Sequence, residues 1–205
     1  MSSERAVVII EFTGYWRCST GRGTAAALDS VVARDAAGLP VVPGRTLKGI
    51  LRDAVNRLHG TVLGDLLFGS SGFDRSGNEP VPLSDTFAGR LQVSSAYVDE
   101  DVRAWMLTQP AGSAESAAMR ETLFTSLAQT AINERTGTAE DYSLRVAEVA
   151  LPLTLTADIS LLTTAAGDLP DDWVSKLDEA CCLIEGIGGN RTRGLGRCSV
   201  TVKAA

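Results

Sequence analysis

A chain of 205 residues that is 44% apolar and 21% charged is long enough for one globular domain with its own core, and its composition excludes a disordered or fibrous protein. Twenty-five acids against 19 Lys and Arg leave a net charge of −6, which excludes a broadly basic nucleic-acid coat but not a local positive track, because salt screens charge beyond about 8 Å. No apolar run reaches bilayer length, and the start, MSSERAVVIIEF, lacks a basic leader and a small-residue cleavage site, so a cytoplasmic protein with no membrane partner is expected.

Residues 5–12 (RAVVIIEF) are β-branched and read as a buried strand. Residues 13–30, rich in Gly, Ser and Thr, read as an extended loop, and 31–42 as a short hairpin turning at DAAG with Asp35 as its turn residue. After Pro43-Gly44 a helix is predicted over about 46–58, with Arg45 or Thr46 near its cap. Leu47, Ile50, Leu51, Ala54, Val55 and Leu58 make its core face. Residues 64–89 are turn-rich, and 90–98 alternate as a second strand. One helix is expected near 116–127 in the Ala/Ser-rich stretch, followed by a polar segment with RTG as a turn. Residues 150–162 give a third strand, with Pro152 at its edge or beginning. A second helix covers 169–187, led by Asp171 and Asp172 and striped by Trp173, Leu177, Ala180, Cys181 and Ile184. A glycine-rich loop (186–197) then leads into a last strand at 198–202. With insertions near 13–30, 64–89 and 99–148 set aside, the order is βαββαβ, a single α+β, ferredoxin-like domain over 1–205.

Chemistry-bearing residues gather in three places. Arg45, Lys48 and Arg52, spaced by three and four, share a helix face near an N-terminus whose unpaired N–H groups favour phosphate. A solvated polar face of ordinary surface cations fits the same spacing. GIGGNRTRGLGR holds Arg191, Arg193 and Arg197 among five glycines, and no acid occurs from 186 to 205. It lacks the ending of a P-loop, so it reads either as a helix–strand turn or as a backbone that meets a ligand. Asp29 closes the loop before the hairpin, where a carboxylate either holds Mg²⁺ or orients a hydroxyl, or else forms a turn or cap. The four cysteines have no metal-ligand spacing and read as buried free thiols, and His59, the one histidine, argues against a His-based triad.

Together, in this order, LDSVVARDAAGLPVVPGRTLKGILRDAV and GIGGNRTRGLGR resemble the RAMP superfamily of CRISPR-associated proteins, nearest the repeating backbone subunit of type III (Csm/Cmr) effector complexes. LLFGSSG, GRLQVSSAYV and INERTGTA fall where that family has similar patches. The resemblance implies an RRM-like palm with flexible loops and an inserted thumb hairpin, here within about 124–148, stacked with copies of itself and other effector subunits along a guide (crRNA) and its paired target RNA. It implies a metal-dependent endoribonuclease that cuts the target RNA. Asp29 is then the catalytic and metal-holding residue, six positions before the turn Asp as in the family, with Mg²⁺ or another divalent cation at the RNA site. It assigns RNA binding to Arg45, Thr46, Lys48 and Arg52 at the helix start, and to Asn190, Arg191, Arg193 and Arg197 in the glycine loop. Two departures stand out: Arg45 replaces a small hydroxyl residue, and CSTGRG replaces a Gly-rich HIGGG patch. The alternative is a non-catalytic scaffold or capping subunit that binds guide RNA only. A small-molecule or metal-sensing domain with an anion at the arginine loop, and a guide-processing nuclease, rank below both.

Overall fold

The computed structural model describes residues 4–19, 31–70, 79–108, 113–162 and 168–205. Strand β1 (Arg5–Phe12) is an unbroken apolar run from Ala6 to Ile10 whose burial alternates, with Ala6, Val8, Ile10 and Phe12 turned into the core. It pairs antiparallel with both β5 (Thr154–Leu161) and β6 (Cys198–Ala204), and β5 pairs in turn with the short β2 (Leu91–Val93). The sheet order β2-β5-β1-β6 puts the first strand inside and the last outside, the arrangement of a ferredoxin-like palm. Helices α1 (Gly44–His59) and α5 (Trp173–Cys181) pack on each other and bury Leu47, Leu51, Trp173 and Leu177 completely. Each such side chain contributes about 1.5–3 kcal/mol relative to its exposed state.

The structure moves several expected boundaries. Helix α1 begins at Gly44 with Pro43 as N-cap, so Arg45 and Thr46 lie in its first turn, and Leu58 is exposed rather than on the core face. The turn-rich stretch holds a further helix, α2 (Thr61–Phe68), packed on α1 and joined to it by Arg52 to Asp65 at 2.6 Å. Strand β2 stops early because hydroxyls take over its ladder: Ser94 Oγ accepts the Asp158 N–H, and Ser95 Oγ accepts that of Gly44. Helix α3 (Glu100–Thr108) was not expected. The helix expected at 116–127 is α4 (Ala114–Glu121), capped by Ser113, because Phe124 already starts β3 (Phe124–Gln129). Strand β3 pairs antiparallel with β4 (Arg145–Ala150) as a hairpin forming its own two-stranded sheet.

The turn reading of Asp35 holds: its Oδ1 accepts the N–H groups of Ala37 and Leu39. His59 faces α5, with Nε2 3.0 Å from the Lys176 carbonyl and 3.6 Å from Glu179, a bridge between helices. Cys18, Cys181 and Cys198 are buried free thiols, whereas Cys182 is exposed. Burial, with Cys198 nearby, pushes the Cys18 thiol up to about 12. Burial, with Asp178 and Cys182 adding to it, does the same to Cys181. Burial raises Cys198 to about 11 against the opposing pull of a backbone hydrogen bond at Ile187. A thiol reagent at pH 8 is therefore expected to modify Cys182 quickly and the other three only after denaturation; a second fast thiol in native protein would contradict this. These raised values also fix a direction for stability. The contribution is complete below the ordinary thiol pKa of 9.0 and declines as pH climbs through 11 and 12, because the unfolded chain loses its protons first.

Candidate nucleic-acid interface

The hairpin and the glycine loop meet the same end of the palm sheet. Strand β1 finishes there, with Phe12 opposite Cys198 at the start of β6 and Glu11 opposite Thr154 at the start of β5. Val42 pairs with Ala96 beside the β2 edge and Gly44 lies against Ser94, which bonds Asp158 opposite Val7, so the first turn of α1 sits beside that edge several residues along the sheet from Phe12. Gly44 is required there, because a Cβ would run into the Ser94 backbone. The hairpin leads through 151–153 directly into β5, and the glycine loop leads directly into β6. The α1 start and the glycine loop thus flank opposite edges of the sheet, separated laterally by three strand spacings or about 14 Å and offset along the strands as well.

The glycine loop is strapped down by backbone bonds. Gly189 N–H donates to Arg17 O at 2.9 Å, Gly196 N–H to Tyr15 O at 2.8 Å, and Ile187 N–H to Gly196 O at 2.9 Å. Gly188 has φ 101°, and a Cβ on it would collide with the Arg17 carbonyl, so no other residue serves there without strain. Gly196, at φ 77°, lies as close to Ile187. Asn190 takes the left-handed conformation (φ 59°) that asparagine tolerates, and turns the chain into a short 3₁₀ segment, Arg191–Arg193. Arg191, Arg193 and Arg197 all point out to solvent, while Leu195 anchors the loop in the core.

Two cations that the sequence pattern left unmarked join this loop. The Arg17 side chain lies against Gly189, where any Cβ would crowd its Nε. That Nε is buried and has no hydrogen-bond partner. Arg145 opens β4, and with Gln129, Thr130, Ala131, Ser143 and Arg193 it lines a cleft of about 580 Å³ between the hairpin and the glycine loop. One arginine thus lines the cleft from each side. Nothing in WRCSTGRG or in the hairpin sequence marks these residues, since only folding sets them beside the loop.

The α1 cations divide. Arg45 and Thr46 are exposed, Lys48 is half-buried, and Arg52 is committed to Asp65. The cleft wall facing Arg193 is the hairpin and not α1. Asp29 lies outside the described residues. Among the described residues no three His, Cys, Asp or Glu side chains converge as metal ligands. The base of the hairpin carries an ion network instead: Arg34 donates to Glu148 at 2.7 Å and Glu121 at 2.9 Å, with its guanidinium 3.8 Å above the Phe124 ring. Burial alone would lower the Arg34 pKa, but the hydrogen bonds to Glu121 and Glu148 outweigh it and raise the value.

The family model for the RAMP superfamily matches residues 10–199, from the middle of β1 into β6. The chain belongs to the RAMP superfamily. Among solved structures, this RAMP chain is similar to a chain in a cryo-EM structure of the type III-B Cmr-beta complex bound to cognate target RNA, at 10% identity, TM-score 0.66 and 98% coverage of each chain. It is also similar to one in the apo state of type III-B Cmr-beta, at 10% identity and TM-score 0.60, covering 97% of this chain and 96% of that one. At these identities the likeness is one of fold. No curated protein matches the sequence. Among the described residues, no helix of this RAMP protein is long and apolar enough to cross a membrane.

Proposed function

We propose that this RAMP protein is a backbone subunit of a type III CRISPR effector complex that holds guide RNA at the hairpin end of its palm and cleaves the paired target RNA. The observation that carries the reading is the cleft with Arg145 on one wall and Arg193 on the other, beside an Arg17 whose Nε has no partner. Guanidinium groups that no ion pair occupies are suited to phosphate, and a glycine backbone lets a ribose-phosphate chain approach closely. Guide contacts are assigned to Arg17, Asn190, Arg191, Arg193 and Arg197 around the loop, and to Arg45, Thr46 and Lys48 at the α1 start. Arg52 acts mainly through its tie to α2. Asp29 orients the attacking 2′-hydroxyl of the target. The described residues form no protein cage for a cation, so a divalent ion would be held by Asp29 together with RNA phosphates, as magnesium commonly is, and would supply charge stabilisation.

Electrostatic recognition carries its own signature. With about four phosphates neutralised on single-stranded RNA, affinity is expected to fall about fiftyfold between about 0.05 and 0.2 M salt. Titration of the purified protein with a labelled guide-length RNA measures this, and a salt-independent affinity would overturn the RNA reading. The second reading, a scaffold that grips guide RNA without cutting, is favoured by one observation. Glu148, the buried carboxylate on the hairpin strand β4, is already engaged by Arg34 and Val32.

A further inference from the structure

Among the described residues Glu148 is the one charged residue buried as a whole, at 7% exposure, and the Asp35 side chain is also out of solvent. Glu148 lies on β4 against the 32–34 segment, and both its oxygens are in use: Oε2 accepts the Val32 N–H at 2.9 Å, and Oε1 accepts Arg34 Nη2 at 2.7 Å. A buried carboxylate is costly, and removing a partner from it costs more than its mere presence stabilises. Holding the hairpin in place does not require one. Trp16 and Ala150 already exchange both backbone hydrogen bonds, and Trp16 Nε1 donates to Leu151 O at 2.9 Å.

What Glu148 holds is therefore informative. Val32 pairs with Ser19, and Ala33 N–H donates to Cys18 O, so 18–19 and 32–33 lie side by side as one paired neck. Glu148 grips that neck at Val32, three positions after Asp29 in the sequence. Arg34 extends the grip to Glu121 on α4 and to the Phe124 ring on β3. We infer that Glu148 is a positioning residue, fixing the neck to the hairpin so that the two hold one alignment while RNA occupies the adjoining cleft. The inference rests on the reading of this chain as an RNA-cleaving subunit.

The test uses the assembled complex with a guide RNA and a complementary target, under single-turnover conditions. Glu148→Ala is expected to slow cleavage about tenfold or more while target affinity stays within about threefold, since misplacement by an ångström suffices for such losses. Glu148→Gln retains an acceptor for the Val32 N–H and is expected to recover most of the rate. Should the alanine variant not fold, Glu148→Met fills the volume without supplying an acceptor of that kind. Hydrogen exchange across 31–34, measured on the same samples without RNA, is expected to quicken in the Ala or Met variant and not in the Gln variant. An unchanged rate, an equal loss of affinity, or a Gln variant no better than Ala overturns the inference. Wild-type complex that binds target without cutting it refutes the enzyme reading instead. The exchange measurement then decides the neck-to-hairpin tie separately: no quickening in the Ala or Met variant refutes it.

Discussion

Replacing Arg17, Arg145 and Arg193 together by alanine is expected to lower affinity for guide-length RNA about a hundredfold or more at physiological salt, and to flatten the log–log salt slope by about 2. The slope is the sharper readout, because each phosphate contact on a single strand contributes about 0.7 to it, whereas a partly unfolded protein would lose affinity without that defined change. The geometry says why these three. Arg145 and Arg193 line one cleft from opposite walls, and Arg17 lies along the glycine backbone with its Nε unpartnered. Arg57→Ala serves as the control. That side chain is exposed on the last turn of α1, 4.0 Å from Asp53, at the far end of the helix from the first turn. A triple variant with an unchanged slope, or an Arg57 variant with the same loss, would remove the cleft from the RNA path.

The palm was legible because its elements carry strong local patterns. Strand β1 is a short β-branched apolar run, and α1 and α5 repeat apolar residues at helical spacing, so local pattern and burial agree. What misled was punctuation. Gly64 and Gly69 fell in the stretch read as turn-rich, yet Gly64 lies within α2 and Gly69 ends it, and Gly64 is small because the Asn56 side chain of α1 occupies the space a Cβ would need. Ser94 and Ser95 looked like strand residues and instead end β2 through their hydroxyls. The glycine loop stood out by composition alone, but its partners did not. Arg17 and Arg145 sit 128 positions apart and have meaning only beside the loop. Arg52 shows the converse: the spacing that put it on a cationic face with Arg45 and Lys48 could not reveal Asp65, which claims it. Lone cations are read poorly from sequence because their partners are set by tertiary contacts.

Asp29→Ala is expected to slow target cleavage by about a thousandfold while leaving guide and target affinity within about twofold, because a group that orients or deprotonates the nucleophile acts on the reaction step and not on the grip. The carboxylates nearest the hairpin base do not rival it. Asp35 is spent on the N–H groups of Ala37 and Leu39 and on Arg103, Glu121 on Arg34, and Glu148 on Val32 and Arg34. Each of these acids has a hydrogen-bonding duty that a reacting 2′-hydroxyl would have to displace. Asp29, by contrast, lies three positions before a neck that is pinned at Val32, so the chain nearest to it has a fixed exit toward the hairpin. Paired gel-shift and cleavage assays on the assembled complex separate the outcomes. Cutting lost with binding kept makes this chain the nuclease of its assembly. Cutting retained transfers the chemistry to another subunit and leaves the arginine cleft as a guide clamp. Binding and cutting lost together would mean that Asp29 shapes the loop and not the reaction.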